Sequence, residues 1–162
     1  QEAYGKARLN ILRTCEPESL RTLGEDEWEE IEWGVDSGAT ETVINSDKLT
    51  HVATKEGHAK RRGVEYEVAN GEKLPNEGEK HFIGYGTNNA ANEVIAQVSD
   101  VNMPLLAVKK VISQGNRVVF EEGASYIEDV ETERKNWLEE KNGMFVLRMW
   151  VKRGGGEHRG PF

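Results

Sequence analysis

From Ile31 onward, hydrophobic positions alternate with polar or small ones over short stretches, the two-residue period of strands with one wet face. Ile31-Glu32-Trp33-Gly34-Val35 alternates in this way, and after a break Thr42-Val43-Ile44 is β-branched throughout. Val64-Glu65-Tyr66-Glu67-Val68 alternates strictly, and the Asn70-Gly71 that follows predicts a hairpin turn. His81 to Tyr85 and Val94 to Val101 read as further strands. After Pro104 the period changes: Leu105, Val108, Val111 and Ile112 fall at helical spacing, with Gly115 as a stop, and predict one short helix near 105–113. Beyond it, Arg117 to Phe120 and Ser125 to Ile127 predict a hairpin around Glu121 to Ala124. Trp137-Leu138 and Met144 to Val151 predict a second across Asn142-Gly143. The sum is a mostly-β domain, a small barrel or sandwich of short strands.

The ends differ from this middle. Ala3 to Arg13 suits strand or helix, and Pro17 to Leu23 predicts a short helix with Pro in its first turn and Gly24 past its end. Glu25 to Glu32 carries six carboxylates in eight positions and reads as a solvated turn leading into a strand. At the other end, Gly154-Gly155-Gly156 and Gly160-Pro161 offer little to pack. The expected organisation is an N-terminal extension or dimer arm at 1–25, one domain at 26–152 and a flexible tail at 153–162.

Composition narrows the function. The 162 residues hold 29 acidic against 21 basic side chains, a formal charge of -8. That balance argues against a general nucleic-acid binder, whose phosphate affinity needs clustered cations; Lys60-Arg61-Arg62 is the one basic run. The single cysteine, Cys15, cannot form an internal disulfide, and no Cys/His spacing suits zinc. His51 and His58 stand seven apart, the reach of two helical turns, but Gly57 interrupts such a helix and no third metal ligand is evident. Trp28, Trp33, Trp137 and Trp150 read as core or interface residues. No apolar run has the 18 or so residues of a membrane span, and no signal-peptide h-region opens the chain, so a soluble, intracellular, cytoplasmic protein is expected.

One segment carries candidate chemistry. Trp33-Gly34-Val35 runs into Asp36-Ser37-Gly38-Ala39, then Thr40-Glu41 and a second apolar strand, Thr42-Val43-Ile44. Asp-Ser-Gly alone suits an ordinary turn. Between two strands it also suits an acid held rigidly in place, with Gly38 permitting a tight turn and Ser37 offering a hydroxyl to pin the loop. A carboxylate that activates water against a peptide needs a second carboxylate about 3 Å away, so that the pair shares one proton. The chain has no second Asp-Ser/Thr-Gly, so the partner must be Asp36 of another copy across a two-fold axis.

With these residues in view, the chain resembles the retropepsin-like aspartic peptidases, most closely the protease segment of copia-type retrotransposon polyproteins. The resemblance spans roughly Trp33 to Phe120. Asp36 matches the catalytic aspartate, with Ser37, Gly38 and Ala39 matching the rest of the loop. Val64 to Tyr85, with Asn70, Gly71 and Gly78, occupies the stretch of the family's flap. Pro104, Leu105, Leu106 and Ala107, then Gly115 and Val118-Val119-Phe120, match the second hydrophobic motif. Ala107 stands where classical members carry Gly, and Thr40 where the viral enzymes carry a substrate-binding Asp. The resemblance implies a small closed barrel, a homodimer, an extended peptide or polyprotein substrate, and hydrolysis with no metal or organic cofactor. A catalytically inactive peptide-binding or dimerisation module of the same fold is the alternative.

Overall fold

The computed structural model describes residues 27–154 and 160–162. The extension at 1–25, the Pro17 to Leu23 helix and Cys15 lie outside them. The described chain is mostly β: β1 (Trp28–Asp36), β2 (Val43–Ile44), α1 (His58–Arg61), β3 (Glu65–Glu67), β4 (Lys73–Pro75), β5 (Gly78–Tyr85), β6 (Ala91–Val98), β7 (Leu105–Ala107), α2 (Val108–Ser113), β8 (Asn116–Val119), β9 (Tyr126–Asp129), β10 (Lys135–Trp137), β11 (Glu139–Lys141) and β12 (Met144–Lys152). No described helix is long and apolar enough to cross a membrane.

The main sheet runs β1-β7-β2-β6-β5-β12-β11, and β12 pairs with β1 as well as with β5. Along β1 and β12 the alternation sends Ile31, Trp33 and Val35 inward, against Leu147, Met149 and Val151. Ile44, Phe82, Ala96, Val98 and Leu106 complete the centre of this core, and Trp33 stacks on Phe82 with ring centroids 6.4 Å apart. β8, β9 and β10 form a separate three-stranded sheet, and β3 with β4 a two-stranded one.

Several elements differ from the sequence expectation. Of the acidic stretch, Glu27 is an exposed turn, but from Trp28 on the residues already belong to β1, whose register with β12 sets Glu30 2.6 Å from the Arg148 guanidinium. Glu32 likewise meets Lys141 at 3.0 Å. The helix starts at Val108, since Leu105-Leu106-Ala107 pairs in parallel with Gly34-Val35-Asp36. The arm opposite Met144 across the Asn142-Gly143 turn is Glu139–Lys141, while Trp137 pairs back onto Tyr126 of β9. Of the expected tail, Phe162 exchanges hydrogen bonds with the Asn89 side chain and packs its ring edge-on to Trp150 at 4.9 Å.

Candidate functional site

Asp36 is the last residue of β1, half-buried, where the strand turns out toward β2. Because β7 lies between β1 and β2, the two strands that lead into and out of the Asp36 loop straddle a third. Asp36 is in parallel register with Ala107. Ala107 is fully buried, and its N–H donates to the hydroxyl of Thr42, on the outgoing side of the loop, at 3.2 Å. The backbone of Gly34 reaches the same motif through a hydrogen bond to the Pro104 carbonyl.

The loop closes on itself. The N–H of Gly38 donates to Asp36 Oδ1 at 2.8 Å, an Asx-type turn that aims the carboxylate along its own backbone. Ser37 is exposed, and its hydroxyl bonds to nothing among the described residues, so the pin expected of it comes from Asp36 itself. A Cβ at Gly38 would meet Asp36 Oδ1 at 3.4 Å, an ordinary contact, so steric need does not impose glycine here. Ala39 is half-buried and Thr40 exposed.

Asn70 and Gly71 stand at the tip of the β3–β4 hairpin, both exposed, with Gly71 at φ +86° and the Asn70 side chain accepting from the Glu72 N–H at 2.8 Å. Gly78 is not at that tip. It opens β5 at φ +133°, and a Cβ there would lie 2.5 Å from the Lys55 carbonyl, so only glycine allows the Lys55 to Glu79 bridge to form. Leu105 is half-buried, and Leu106 lies in the core.

Beside the loop a groove of about 710 Å³ is walled by Thr40 to Thr42, by Val64 to Tyr66 of the hairpin and by β6 and α2, over a floor that includes Leu106, Val111, Ile127 and Met149. Asp36 is not among its walls. Glu41 and Lys110 pair at 3.5 Å on its rim. Burial pushes the Tyr66 phenol above its ordinary pKa, against the pull of its hydrogen bond from Asn76 and with the nearby Glu41 charge adding to the rise.

Two polar residues escaped the sequence reading. Lys80 is buried, and its ammonium donates to the carbonyls of Lys48, Leu49 and Val52 at 3.2, 2.8 and 3.1 Å. Burial lowers its pKa, opposed by the charge of Glu29. Asn76, also buried, joins the hairpin to the main sheet. The signal for Lys80 was present: its alternation with Phe82 puts it on the inward face. Of the histidines weighed as metal ligands, His51 bonds the Lys152 carbonyl and His58 opens α1; among the described residues no group of three or more His, Cys, Asp and Glu side chains gathers to hold a metal.

Compared with known proteins, the chain matches no protein-family model, and no curated protein aligns with it significantly.

Proposed function

We propose that this chain is a retropepsin-like aspartic endopeptidase, the polyprotein-processing protease of a retrotransposon, acting as a homodimer that shares a pair of Asp36 carboxylates. The observation that carries this reading is the straddled loop: Asp36 ends β1 beside Ala107, and the strand bearing Ala107 runs between the two strands of the Asp36 turn. This arrangement presents one carboxylate at a sheet terminus, where a second copy can bring its own within about 3 Å. The ring of pairings from β1 through β7, β2, β6, β5 and β12 back to β1 supports the closed-barrel form. Ala107 sits fully buried with its N–H satisfied, so alanine in place of the family's glycine does not keep the strand from the loop.

In this reading one Asp36 is charged and takes a proton from a water held between the two carboxylates. The other, protonated, donates to the scissile carbonyl oxygen, and a tetrahedral intermediate forms without a covalent enzyme adduct. Ser37 is no nucleophile, since no base contacts it. The β3–β4 hairpin, with Asn70 and Gly71 at its tip, serves as the flap that covers an extended peptide. Thr40 offers that peptide a hydroxyl where the viral enzymes offer a carboxylate.

The test is cleavage of a mixed peptide library from pH 3 to 7 by the wild-type chain and by Asp36→Asn, with dimerisation scored by sedimentation in the same samples. An acid-shifted activity that disappears in a folded, dimeric variant supports the reading. No cleavage by a folded, dimeric wild type overturns it in favour of a peptide-binding or assembly module.

A further inference from the structure

We propose that Asn76 is the positioning residue of the β3–β4 hairpin, setting the angle at which it stands over the groove. The hairpin is a two-stranded sheet with no third strand, and such ribbons have little stability of their own in water. Its orientation is therefore set at its root. There the N–H of Val64 donates to Ala59, that of Asn76 to Val64 and that of Glu77 to Val98, while the Ser99 hydroxyl donates to the Pro75 carbonyl at 2.8 Å. These bonds tether the backbone of each arm where it leaves the body.

The Asn76 side chain connects the outgoing arm to the sheet. Its Oδ1 accepts from the Gly78 N–H at 2.8 Å, which fixes the orientation of the amide. Its Nδ2 then donates to Tyr66 Oη on β3 at 2.9 Å and to Gln97 Oε1 on β6 at 2.8 Å. Gln97 is oriented in turn, since its Nε2 donates to Glu79 at 3.3 Å and Glu79 is held by His81 at 2.7 Å. Every polar atom of a buried amide is thus used, and its two donor bonds end on residues that both wall the groove. One side chain couples the tilt of the outgoing arm to the groove wall, a rigid link between hairpin and body. Its consequence for catalysis rests on reading the hairpin as the flap.

The experiment measures amide hydrogen exchange on the intact chain, with kcat and KM taken on whichever library peptide is cleaved. Asn76→Ala removes both donations together with the acceptor for Gly78; Tyr66→Phe deletes only the bond to the arm and leaves the ring on a half-exposed strand, so it remains informative if the first variant does not fold. Both variants should speed exchange at 65–74 about tenfold, the scale of losing one or two hydrogen bonds, while β5 beyond Gly78 and β6 exchange as in wild type. KM should rise with a smaller change in kcat. Hairpin exchange equal to wild type overturns the proposal. So does acceleration shared equally by β5 and β6, or an unchanged KM in a chain that cleaves. If wild type cleaves nothing, the exchange result alone decides the role of Asn76, and the peptidase reading fails separately.

Discussion

Asp36 and Ala107 face each other in parallel register, and the Ala107 N–H beside the carboxylate strand ends on the hydroxyl of Thr42, so three positions of two motifs form one unit. Thr42 is buried. Thr42→Val leaves that N–H without an acceptor and should cost about 1–3 kcal/mol. Thr42→Ser keeps the bond and loses one methyl, about 0.8 kcal/mol. Urea midpoints at unchanged m-value measure both, and equal losses would refute the role of the hydroxyl.

The Asp36 loop should tolerate loss of the charge. An asparagine retains an oxygen for the Gly38 N–H, so Asp36→Asn should unfold within about 0.5 kcal/mol of wild type while abolishing cleavage. Thermal unfolding of the inactive variant checks this, and a large loss of stability would make it unfit as the catalytic control.

The glycines divide by geometry. Gly38→Ala meets only an ordinary 3.4 Å contact and should cost less than about 1 kcal/mol. Gly78→Ala must relieve a 2.5 Å approach to backbone at φ +133° and should cost about 2 kcal/mol or more. Denaturation of the two variants side by side should rank them in that order.

Lys80 holds a strained corner. Leu49 is buried at φ +52°, with its N–H donated to Glu29 at 3.0 Å and its carbonyl taken by the Lys80 ammonium. Lys80→Met keeps the stem but leaves the Lys48 and Val52 carbonyls without their donor, while the Leu49 carbonyl keeps the Val52 N–H, and the loss should be roughly 2 kcal/mol or more. A variant as stable as wild type would show that water replaces the ammonium at no cost.

The acid limb of stability should report on Glu79. The hydrogen bond from His81 is the largest influence lowering its pKa below the ordinary 4.5, with the bond from Gln97 and the His81 and Arg61 charges adding, against partial desolvation. A carboxylate depressed in the folded state stabilises above its unfolded pKa, and that contribution disappears as pH falls through the folded value. His81→Ala should therefore lose less of its melting temperature between pH 5 and 3 than wild type does. Parallel pH profiles for the two proteins would contradict this.

The alternation of β1, β5 and β12 was legible because each has one buried and one wet face. The hairpin turns at Asn70-Gly71 and Asn142-Gly143 were legible because their residues tolerate positive φ, as Gly71, Asn142 and Gly143 show. The start of β1 was not, since Glu30 and Glu32 are neutralised by Arg148 and Lys141, far outside any local window. Leu105 to Ala107 reads as helix by spacing and becomes strand through its pairing with Gly34 to Asp36. β10 carries no period at all in Lys135-Asn136-Trp137. The Asp36 loop was visible as a motif and the inward face of β5 pointed to Lys80, but Asn76 works through Tyr66 and Gln97 on other strands, and a single asparagine does not announce them.

β1 is flanked on one side by β7 and along nearly its whole length by β12, the last strand of the described chain. The frame of the Asp36 loop therefore depends on contacts between segments far apart in sequence, and a high mean contact separation slows folding. During synthesis, a chain that has not yet produced Met144 to Lys152 holds Asp36 on a strand with an unpaired edge, open to other strands. The C-terminal strand is thus part of the frame that holds the loop, although it lies more than a hundred residues from Asp36.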